Sequence, residues 1–82
     1  MTRELTLTPV QVGTGTADKE GRLVFVGNLL VAVLVQLSED HDEAGQWFLE
    51  HGFGSLNAPL TLIFPDLQAA EDWIEERYKQ RA

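Results

Sequence analysis

The chain has 82 residues, no cysteine, and thirteen acidic against six basic residues, for a net charge of −7. That length makes one small domain, residues 1–82, close to the size at which burial alone only just stabilises a fold. Without cysteine there is no disulfide and no thiolate metal cage, and the charge balance counts against the basic face that nucleic-acid binding needs.

The basic residues are scattered except for Arg77, Lys79 and Arg81, which sit where the last turn of a helix favours cations. No membrane partner is expected. The longest unbroken apolar run, 29–35, is far below the ~20 residues of a membrane helix, and residues 1–9 contain no apolar leader segment. A cytoplasmic domain is the resulting expectation, with which the cysteine-free composition is compatible.

Residues 4–12 alternate in polarity and make the first predicted strand. Leu5 and Leu7 fall on one face and Val10 and Val12 on the other, with Pro9 at the switch. A proline there predicts an edge strand carrying a bulge or kink. Residues 13–21 follow as a polar, glycine-rich loop. The run 22–37 then reads as a central hairpin turning at Gly27-Asn28, a dipeptide suited to a two-residue turn. Strict alternation along 29–37 places Leu29, Val31, Val33, Val35 and Leu37 on one face and Leu30, Ala32 and Leu34 on the other. Both faces are apolar, so the strand requires cover on both sides.

Residues 38–43, Ser-Glu-Asp-His-Asp-Glu, form an acidic loop. Residues 45–53 fit either a short helix or a strand; bunched aromatic β-formers favour the strand, with Trp47 and Leu49 on one face and Phe48 and Glu50 on the other. Residues 55–59 read as a loop and 61–64 as a short strand. The clearest helix spans about 66–80. Asp66 is its N-cap, and Leu67, Ala70, Ile74 and Tyr78 form a stripe flanked by Trp73. The predicted fold is α+β: a small antiparallel meander of four or five strands with the C-terminal helix packed on one face. The opposite face, or a strand edge, is then closed by a second copy of the chain, unless the sheet curls enough to bury its own concave side.

Groups able to do chemistry are few. Asp40, Asp42 and Gly45 match the start of a calcium loop, but Ala44, Trp47 and His51 stand where ligands or an aliphatic residue belong. A looser divalent-metal site would combine His41 and His51 with Asp40 or Asp42; the competing reading is a solvated acidic loop that keeps strand ends soluble. Ser55 follows Gly52-Phe53-Gly54, yet Asn57 occupies the place where a nucleophile turn has glycine. Asp18 likewise replaces the third glycine of a phosphate-binding loop after Gly13 and Gly15. No catalytic set emerges, and no cofactor is expected beyond that one metal candidate.

Trp47, Phe48 and Phe53, next to Gly52 and Gly54, are candidate interface anchors, as are Val31 and Val33 of the doubly apolar strand. The functional expectation is a non-enzymatic protein-interaction or self-associating module. Its partner is itself, as a homodimer, or another protein, with the acidic charge favouring a basic one. The alternative is a metal- or small-ligand-binding accessory domain built on the His41/His51 region.

Overall fold

Five strands and one helix follow in chain order in the computed structural model, which describes residues 5–15, 19–38, 42, 44–57 and 62–81. The strands are β1 (Leu5–Gln11), β2 (Glu20–Val26), β3 (Leu29–Gln36), β4 (Trp47–Gly52) and β5 (Ile63–Phe64). A short 3-10 turn, Gly54–Leu56, separates β4 from β5, and α1 (Leu67–Arg81) ends the chain. The sheet order is β1-β2-β3-β4-β5, with every neighbouring pair antiparallel. Residues 47–52 are thus a strand, as the aromatic bunching favours.

The β2–β3 hairpin turns in two residues, Val26 facing Leu29 across Gly27-Asn28. Gly27 takes a φ of 62°, and no described non-glycine residue has a positive φ. A left-handed first position followed by an ordinary second one is the type II′ pattern, which glycine enters without a Cβ clash. The β3–β4 hairpin is closed by backbone bonds next to Leu37. There the Leu37 amide donates to the Gln46 carbonyl and the Gly45 amide to the Leu37 carbonyl, both at 2.9 Å.

Strict alternation fails in β3, for a local reason. Val24 pairs with Ala32, but Phe25 pairs with Leu30, so Val31 is an extra residue in the ladder. Such a bulge turns two consecutive side chains to the same side. Val31 and Ala32 are both buried and both belong to the main core cluster. The phase resets there: Val31 goes with Ala32 and Leu34, while Val33, Val35 and Leu37 share the opposite face with Leu30. A second bulge lies in β4, where Val33 pairs with His51 but Leu34 with Leu49, leaving Glu50 extra.

β1 is an edge strand, but its pairing with β2 runs unbroken from Leu5↔Val26 to Gln11↔Glu20, with Pro9 opposite Arg22. The predicted bulge at Pro9 is therefore absent. The switch of apolar residues between faces is the ordinary period of two on a regular strand. Val10 and Val12 belong to the face where Gly21 has no side chain, and a Cβ built there would meet Val12 Cγ2 at 2.5 Å.

The core gathers residues from nearly every element: Val24, Val26, Val31, Ala32, Leu34, Trp47, Leu49, Leu56, Phe64, Ala70 and Ile74. Leu5 and Leu7 of β1 pack against it from the margin. Residues 54–56, within or beside a predicted loop, contribute Leu56, which is fully buried. Gly52 makes room for it. A Cβ at that position would fall on the Leu56 carbonyl and lie 3.0 Å from the Leu56 Cβ, so Leu56 fits beside β4 because residue 52 is bare.

Asp66 caps α1 as expected, its Oδ1 accepting the Ala69 amide at 2.8 Å and satisfying one of the helix's free donors. Ala70 and Ile74 are fully buried, with Leu67, Trp73 and Tyr78 packed around them. The helix is held chiefly by the 3-10 turn and β5. Arg77 Nε donates to the Ser55 carbonyl at 3.0 Å, its guanidinium lies 5.5 Å from the Trp73 ring, and Trp73 meets Phe64 with centroids 5.8 Å apart.

Candidate functional site: the second face of the sheet

Residues directly opposite one another in an antiparallel ladder share a face, so the register sorts the strands into two surfaces. One carries the core. On the other, β1 contributes Thr6, Thr8 and Val10, facing Phe25, Leu23 and Gly21 of β2. These face Leu30, Val33 and Val35 of β3, which continue to His51 and Phe48 of β4 and, beyond Phe48, to Ile63 of β5.

This second face is apolar through its middle and open in part. Leu30 and Ile63 are exposed, at 37% and 38%. Leu23, Phe25, Val33 and Phe48 are half-buried. Val35 and Leu37 are buried although they stand outside the main core cluster. Thr6 and Thr8 give the face a polar margin along β1. The charged residues that alternation puts on this side are Glu50, the extra residue of the β4 bulge between Phe48 and His51, and Lys19, opposite Val12; both are exposed. Glu20 and Arg22 fall on the core side, where Arg22 lies 3.2 Å from Glu20 and 5.0 Å from the Trp47 ring. Glu71, Asp72, Glu75 and Glu76 all belong to α1.

The structure sorts the predicted anchors. Val33 and Phe48 are on the second face. Trp47 and Val31, at 5% and 6% exposure, are core residues and offer no contact surface. Phe53 is 46% exposed just beyond β4, its amide bonded to the Val31 carbonyl at 3.0 Å and its ring edge-on to His51 at 4.5 Å. Leu30 and Ile63 have no signal in the linear pattern. Identifying them requires the position of the β3 bulge and the pairing of a two-residue strand.

Of the metal candidates, His51 is exposed on the second face and Asp42 is exposed in the β3–β4 loop. Asp40 and His41 lie outside the described residues. Among the described residues, no three His, Asp or Glu side chains gather into a potential metal site.

The sheet edges are blunted. Just past the end of the β1–β2 ladder, the Val12 amide donates to the Lys19 carbonyl at 2.8 Å. Alternation from this bonded pair turns the backbone polar groups of Leu5, Leu7, Pro9 and Gln11 outward, to the free edge of β1. Pro9 has no N–H to offer an incoming strand, a common protection of edges. At the other edge, β5 is two residues long.

Among the described residues, no helix is long and apolar enough to cross a membrane. No protein-family model, curated protein or solved structure matches this chain.

Proposed function

We propose that the chain is a non-enzymatic protein-interaction module whose contact surface is the second face of the sheet. The observation that carries this reading is a continuous, partly open apolar surface running through Leu23, Phe25, Leu30, Val33, Phe48 and Ile63. Keeping Leu30 and Ile63 in water forgoes roughly 25 cal/mol for each Å² of apolar surface that a partner would cover. Exposed apolar surface that is contiguous and polar-rimmed marks interaction sites more often than isolated exposed residues do. The centre of the face has the charge-depleted, aromatic-containing make-up of an interface core, in Phe25 and Phe48, and the threonines of β1 supply a rim. The cysteine-free composition fits action in a reducing cytoplasm.

Site-specific photo-cross-linking inside the producing cell tests this reading. A photoreactive residue at position 30 should give protein adducts, whereas one at Gln68, exposed on α1, should give few. Equal or absent yields at the two positions would overturn the proposal.

A further inference from the structure

We draw no further inference here: the strongest candidate, the exposed apolar side chains of Leu29, Leu30 and Phe53 at the end of the sheet beside the β2–β3 turn, carries nothing because nothing in the structure shows what covers them.

Discussion

The two faces of β3 carry similar residues and have different surroundings. Leu34 is fully buried in the core cluster that also holds Leu56, Ala70 and Ile74, whereas Leu30, four residues earlier in the same strand, is 37% exposed. Hydrophobicity along the strand does not separate them. The difference lies in what the rest of the chain supplies: Leu56, Phe64, Ala70 and Ile74 all go to one side. With one helix and one 3-10 turn, an 82-residue chain has material for one covering layer. The other side of the doubly apolar strand is covered less completely, with Leu30 and Ile63 exposed.

The sharpest way to break that comparison is to truncate the two leucines identically. Leu34→Ala should cost about 2–5 kcal/mol of unfolding free energy, the range for fully buried leucines. In urea melts at concentrations low enough to keep the chain monomeric, Leu30→Ala should cost less than about 1.5 kcal/mol, since much of its side chain is already in water. Equal costs would show that the second face is as enclosed as the first.

Gly52→Ala probes how the covering layer is seated. Its Cβ would displace the Leu56 carbonyl, and an overpacking cost of about 1–3 kcal/mol is expected, with faster hydrogen exchange in residues 53–57 as the local readout. Asp66→Ala removes the accepting oxygen at the start of α1 and should cost about 1 kcal/mol in thermal or urea unfolding. Asp66→Asn should recover most of it, because the amide oxygen still accepts. Pro9→Val should change monomer stability least, by under about 0.5 kcal/mol. It should nonetheless restore a donor on the free edge of β1, so turbidity or thioflavin fluorescence on prolonged incubation should rise above wild type. Unchanged aggregation would mean that the edge is guarded by something other than the proline.

Local chemistry made much of this architecture legible in the residues alone. Gly27-Asn28 between β-branched runs reads as a two-residue hairpin, and Asp66 followed by an apolar stripe reads as a capped helix. Trp47 and Leu49 alternate correctly into the core. Legibility ended where one residue resets a period. The bulge at Val31 moves that side chain to the core, away from Val33, and so removes a predicted interface candidate while leaving its neighbour on the open face. Pro9 shows the converse: an apparent phase change that needs no bulge, because Val10 and Val12 serve the face above Gly21. The two sides of the candidate surface are separated by these shifts, which depend on pairing partners distant in sequence.

By itself, then, the sequence determined most element types and the β2–β3 turn, the net charge, and the apolar character of both sides of β3. Those properties depend on a residue and its near neighbours. Tertiary structure alone decided that Leu56 and Ile74 join one core cluster, that Val31 and Trp47 are core, and that Leu30, Val33, Phe48 and Ile63 share the opposite, largely apolar face. A face is set by strand register, and register is settled by which contacts across the whole sheet bury the most apolar surface at once.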